Sequence, residues 1–308
     1  MNFSKFTKHA LSLALVVVML LSFAIPAFAT YPGTSPAITV NLMAAASMRY
    51  SLGERQTNGA YPSGTLLNTF EGQHSNITVN VTYDSSGNLL NSMIADTTRS
   101  ADVFISADTT RMNSAVTANI IDSSTVYNLL NNRLALIANS STGLTANSLA
   151  YSNVATWLAG GSLRTIAVGD PTVVPAGTYT KTVFDGIDVA AGFAAGTTWS
   201  NIASYKTEYS NVTNVLNAVS LNTNSIGSVY ATDAATNSSL IVLATEDVNI
   251  IYPIGITAAA MTKVEDEDGE EIQSNRELAA TELVDYLKAD IAKTSGSVFK
   301  AKGFSAAQ

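Results

Sequence analysis

The chain has 308 residues, with 16 lysines and arginines against 24 aspartates and glutamates, two histidines and no cysteine. The absence of cysteine excludes disulfides, thiol catalysis and thiolate metal sites. The net charge of −8 leaves no basic footprint with which to neutralise the phosphates of a nucleic acid.

The first 29 residues read as a leader rather than as part of the fold. Lys5 and Lys8 precede the apolar run "LALVVVMLL", which ends in "AIPAFAT". Ala27-Phe28-Ala29 has the small-x-small pattern of a signal peptidase site, so cleavage is expected before Thr30. The run is short and closely followed by Pro26, which argues against a membrane anchor. No cysteine stands at the new N-terminus to carry lipid, so the mature protein is expected to be exported, periplasmic and soluble. Cleavage takes two of the 16 basic residues, leaving 14 against 24 acids and a formal charge of −10. It also takes His9, which leaves His74 alone in a loop-like stretch; a multi-histidine zinc site is excluded and a serine hydrolase triad is disfavoured. Residues 30–308 suffice for one large domain or two lobes.

Along the mature chain, strands alternate with helices. A strand over residues 38–42 breaks into a small-residue turn at Ala44–Ser47. A second strand, 76–83, runs into a helix start at Ser85, Ser86 and Gly87. Buried-strand patterns follow at 101–108, 133–139 and 164–170. Residues 210–220 read as an amphipathic helix capped by Ser210 or Asn211, 226–234 as a strand opening into a turn, and 277–292 as a closing helix. This order predicts an α/β fold with mostly parallel sheets. Residues 53–65 and the acidic run 265–271 look like surface insertions. The latter lacks the spacing of a calcium loop and reads as solvated.

Ser47, Ser86 and Tyr230 are neutral hydroxyls, each near a strand end or helix start. In open α/β sheets, ligands bind beyond the carboxyl ends of strands, where helix N-termini offer free N–H groups. Neutral donors with no Lys or Arg nearby suit a small, fully ionised anion, although from spacing alone the serines could be helix caps.

The stretch "VGDPTVVPAGTYTK" at residues 168–181 resembles the signature of the periplasmic molybdate-binding proteins of ABC importers, within the type II periplasmic substrate-binding family. "AAAS" (44–47), "SSGNL" (85–89), "ADVFISAD" (101–108) and "IGSVYATDA" (226–234) resemble further blocks of that family, in its order, followed by "YPIGI" and "GF". The resemblance covers the chain from about Ile38. It implies a two-lobed fold, each lobe a mostly parallel sheet flanked by helices, with the ligand in the cleft between them. It implies crossings near Arg133 and Asp247: lobe I from residues 30–133 and 247–308, lobe II from 134–246. It also implies a ligand set of hydroxyls and backbone N–H groups at Ser47, Ser86, Ala176, Val212 and Tyr230, with no cofactor and no bare metal cation. The family's valine block usually continues into arginine, where this chain has Thr213.

The function so implied is capture of molybdate, and by size and charge tungstate, for an ABC permease by a monomeric protein. Sulfate is the nearest rival, since it too is a doubly charged acceptor. Phosphate carries a proton at neutral pH and favours a carboxylate acceptor, and none of the five positions is acidic. Asp170 and Asp233 read as turn and cap residues. An enzyme would need a general base beside Ser47 or Ser86, which the sequence does not supply. A structural cell-envelope protein would not require the ordered set of blocks.

Overall fold

The computed structural model describes residues 37–266 and 268–307; the expected leader at 1–29 lies outside them. The strands are β1 (Ile38–Ala45), β2 (Ile77–Asp84), β3 (Val103–Ile105), β4 (Tyr127–Asn139), β5 (Thr165–Gly169), β6 (Lys206–Tyr209), β7 (Ser225–Tyr230), β8 (Leu240–Ile256), β9 (Val264–Glu265), β10 (Glu271–Ile272) and β11 (Ser305–Ala306). The helices are α1 (Arg49–Leu52), α2 (Leu66–Gln73), α3 (Ser86–Ala95), α4 (Thr109–Thr117), α5 (Val154–Ala159), α6 (Pro175–Ala190), α7 (Thr197–Asn201), α8 (Val212–Leu221), α9 (Ala231–Ala234), α10 (Asn275–Ala292) and α11 (Val298–Ala301).

The main sheet has the order β2-β1-β3-β8-β4-β7-β5-β6, with β11 on β4. It consists of two parallel halves joined through an antiparallel middle. β1 pairs parallel with β2 and β3, and β5 pairs parallel with β6 and β7. Strands in such halves are covered by helices on both faces and so read as apolar runs. β7 follows this rule, with all six of its residues buried.

The middle is formed by β4 and β8, which run antiparallel through both halves. Asn128–Asn132 pair with residues 250–253, and Leu134–Asn139 pair with 240–246, with a register shift between Asn132 and Leu134. Arg133 and Asp247 form an ion pair at this break. No strand was expected over residues 240–256, because Glu246, Asp247, Asn249 and Pro253 interrupt its apolar pattern. The structure tolerates them for local reasons. The charged stretch lies at the exposed centre of the strand. Pro253 sits opposite a second register shift at Asn128/Leu130, where a missing N–H is least costly.

Other boundaries also differ from expectation. The strand expected over 101–108 is only Val103–Ile105. Asp102 keeps backbone bonds to Asn41 and Thr257 while its carboxylate accepts the Asn41 N–H (2.6 Å) and the Arg276 guanidinium, and Asp108, also buried, caps α4 through the Arg111 N–H (2.8 Å). The strand expected to reach 234 ends at Tyr230, where α9 begins. α10 starts two residues earlier than expected, because Ser274 caps it by accepting the Glu277 N–H (3.1 Å). His74 closes α2, stacks on Phe70 and pairs with Glu282 at 2.8 Å, which gives it a structural place in the fold.

The two insertions have simple structural roles. From residues 53–65, the Tyr61 hydroxyl (2.7 Å) and the Arg55 guanidinium (2.8 Å) donate to the Val79 carbonyl on edge strand β2. Glu71 accepts the Val79 N–H at 2.8 Å. Side chains thus occupy a ladder position that another chain could otherwise pair with. The acidic run forms the tip of the β9–β10 hairpin, where Asp266 accepts the Asp268 and Glu270 N–H groups at 3.0 and 2.9 Å.

Candidate functional site

The carboxyl ends of β1, β2 and β7 and the N-termini of α3, α6 and α8 converge on one small cavity. Ser47, Ser86, Val212 and Tyr230 line it, with Ala45, Ala46, Asp84, Ser85, Ala107, Val174 and Pro175. Ala176 follows Pro175 directly and is itself buried, but does not line the cavity as it stands. The cavity measures about 10 Å³, room for the centre of one water-sized sphere.

Each position is presented by local chain chemistry. Ser47 lies in the short turn after β1, and its hydroxyl is 2.9 Å from that of Tyr252. Ser86 is the first residue of α3; its oxygen accepts the Ala107 N–H at 2.9 Å, which leaves its own hydrogen free to donate. Ser85, not Ser86, is the cap, accepting from the Asn88 N–H at 3.2 Å. α6 opens with Pro175, whose fixed φ suits a first helical position, and Ala176 is next, so its N–H has no carbonyl four residues back within the helix. Gly177 is required there because an added Cβ would lie 2.0 Å from the Gly169 carbonyl oxygen. α8 repeats the device, with Asn211 as cap, accepting the Asn214 N–H at 3.0 Å, and Val212 first.

Tyr230 ends β7. Its hydroxyl is fully buried and, among the described residues, meets no partner at full hydrogen-bonding geometry; the Tyr252 hydroxyl is its polar neighbour. Burial above all, with Tyr252, Tyr179, Asp108 and Asp233 nearby, pushes it far above the ordinary tyrosine range, so it is a donor at any physiological pH. An orphaned buried hydroxyl costs about 1–3 kcal/mol, and a ligand oxygen in the cavity offsets that cost.

Three features were missed in the sequence. Asp84 is an acid on the cavity wall. Its carboxylate is held by the Ser85 N–H (2.7 Å), Asn88 (3.2 Å) and, from the other half, Asn211 (3.3 Å). Its place directly before Ser85 was the available signal. Tyr252 and Asn132 extend the hydrogen-bond chain from Ser47 to Thr232, with Asn132 donating to Tyr252 at 3.2 Å and to Thr232 at 2.9 Å. These partners are distant in sequence; Tyr252 opens the "YPIGI" block, but nothing in that block pointed to Ser47. The third is Arg111: among the described residues no Lys or Arg lines the cavity, but Arg111 donates to Pro171, Thr172 and Thr178 around the turn that leads into α6.

Asp170 is the turn residue expected, accepting the Thr172 N–H at 2.8 Å. Asp233 is not a cap. It is completely buried, neither carboxylate oxygen has a partner, and burial pushes its pKa up to about 7.

The fold and the donor-lined cavity define an extracellular solute-binding protein. The family model for bacterial extracellular solute-binding proteins matches residues 58–305, and the chain belongs to that family. It is a binder, not an enzyme. The molybdate-binding protein ModA of Escherichia coli is 29% identical over 211 residues, covering 66% of this chain and 70% of that protein. Among solved structures, the Azotobacter vinelandii periplasmic molybdate-binding protein aligns over 87% of this chain and all of its own, with a TM-score of 0.61 and 16% identity. The sulfate-binding protein SubI of Mycobacterium tuberculosis aligns over 86% of each chain, with a TM-score of 0.63 and 10% identity. The fold is therefore that of the two-lobed periplasmic binding proteins. Among the described residues, no helix is long and apolar enough to cross a membrane.

Proposed function

We propose that this chain captures a tetrahedral dianion, molybdate and by size and charge tungstate, and delivers it to the membrane permease of an ABC importer. The observation that carries this reading is the buried, unpartnered Tyr230 hydroxyl facing a cavity with Ser47, Ser86 and two helix N-termini and no basic side chain. Five such donors, each contributing about 1.5–3 kcal/mol to a charged acceptor, support sub-micromolar affinity after ordering costs. Molybdenum or tungsten arrives as the oxyanion, so no bare-cation site or cofactor is involved. The cavity is smaller than such an anion, so entry requires the halves to part. We place that motion at the β4/β8 break, between a lobe of residues 30–133 with 247–308 and a lobe of 134–246. Export by a cleaved leader, a periplasmic location and a monomeric state complete the reading.

Sulfate is the second reading, because neutral donors recognise it equally and only cavity size separates the two. Asp84 bears on phosphate: a wall carboxylate suits a protonated anion, but here it already accepts from three donors. Calorimetric titration with molybdate, tungstate, sulfate and phosphate tests the proposal. Tight binding of the first two alone is expected. Preferential binding of sulfate or phosphate overturns the selectivity, and heat from none overturns the function.

A further inference from the structure

We infer that Arg111 is a positioning residue that latches the two halves over the bound ligand and sets the rate of ligand release; the inference rests on the oxyanion-site reading above. Arg111 belongs to α4 in the first half, yet most of its hydrogen bonds reach the second. One terminal nitrogen donates to the carbonyls of Pro171 (3.2 Å) and Thr172 (3.1 Å). The other approaches the Thr178 hydroxyl at 3.3 Å and is anchored at 2.6 Å by Asp108, the cap of its own helix. The Thr178 hydroxyl in turn donates to the Pro171 carbonyl at 2.8 Å.

The next carbonyl, Val173, accepts the Gly87 N–H from the first half at 2.9 Å. Three consecutive carbonyls, 171 to 173, therefore each take a donor from the opposite half. They belong to the turn that leads into α6 and carries the Ala176 N–H. A planar, always-charged fork suits this job, since it can engage two carbonyls and a hydroxyl together, which a lysine cannot. The Arg111 side chain is only 13% exposed; its bonds to Asp108, Thr178 and Pro171 are partly buried, and the bond to the Thr172 carbonyl lies at the surface. It does not line the cavity, so it acts through the turn rather than on the anion.

A latch changes release, whereas a steering charge changes capture. The test is release of radiolabelled molybdate into an unlabelled chase from the full mature chain, with the dissociation constant measured in parallel to give the association rate. Arg111→Gln should release about tenfold faster at an unchanged association rate, equivalent to about 1.4 kcal/mol. Arg111→Lys should recover little of the loss. Thr178→Val, a milder change that leaves Asp108 and α4 intact, should speed release less, and should add less than its own effect when combined with Arg111→Gln. Wild-type release rates in a folded Arg111→Gln protein, or a loss confined to association, overturn the latch while leaving the site intact. Failure of the wild type itself to retain molybdate overturns the site reading and the latch with it.

Discussion

The Gly87 N–H donates to the Val173 carbonyl at 2.9 Å across the two halves, and a Cβ on Gly87 would lie 2.5 Å from that same oxygen. The close approach of α3 to the turn before α6 thus depends on a missing side chain. Gly87→Ala should leave the ligand-free fold intact or slightly more stable, since alanine favours a helix by about 0.5–1 kcal/mol. It should nevertheless weaken anion binding at least about tenfold, because the halves cannot close. Thermal unfolding and calorimetric titration of the one variant check both parts.

Gly177 gives the opposite outcome. Its neighbour at 2.0 Å, the Gly169 carbonyl, belongs to the same half, so the clash is present whether the cleft is open or closed. Gly177→Ala should destabilise the ligand-free protein by about 1–3 kcal/mol, read from the urea midpoint.

Tyr230→Phe should separate stability from binding. The hydroxyl has no hydrogen-bond partner in the closed arrangement seen here, so its removal should raise the stability of that closed form without ligand by about 1 kcal/mol. Molybdate affinity should fall about ten- to a hundredfold, the loss of one hydrogen bond to a charged ligand. Ser86→Ala should weaken binding similarly, but without the gain in stability, because its oxygen already serves the Ala107 N–H at 2.9 Å.

Asp233 predicts a pH dependence. Burial raises its pKa from an ordinary 3.8 to about 7. The folded state therefore holds a proton that the unfolded state has lost between those values. Its contribution to stability is complete below about pH 4, falls as pH rises to 7, and is constant above. Asp233→Asn removes this slope. The unfolding free energy of the variant relative to wild type should grow by about 2.7 kcal/mol between pH 5 and pH 8, measured by denaturant titration.

Much of this site was legible because its geometry is written locally. Pro175 and Gly177 fix a helix start, Ser85 and Asn211 cap the neighbouring ones, and β7 ends at a tyrosine in an apolar run. What stayed hidden depends on contacts between distant segments. The long strand β8 could not be read, since its exposed centre and Pro253 match neither a buried nor an alternating pattern until β4 is beside it. Asp233 looked like a cap because its burial comes from packing of α9 on β4 and β8. Arg111 gave no signal in the sequence, since only the tertiary approach of residues 171–178 gives it partners in the other half.

The most direct test is a crystal of the mature chain grown with tungstate, with data collected at the tungsten edge. The account predicts one dominant anomalous peak between the two halves, within hydrogen-bonding reach, about 2.7–3.2 Å from oxyanion oxygen to donor, of Ser47, Ser86, Ala176, Val212 and Tyr230. A dominant peak elsewhere, or none at that position in crystals of protein that binds tungstate in solution, would contradict it.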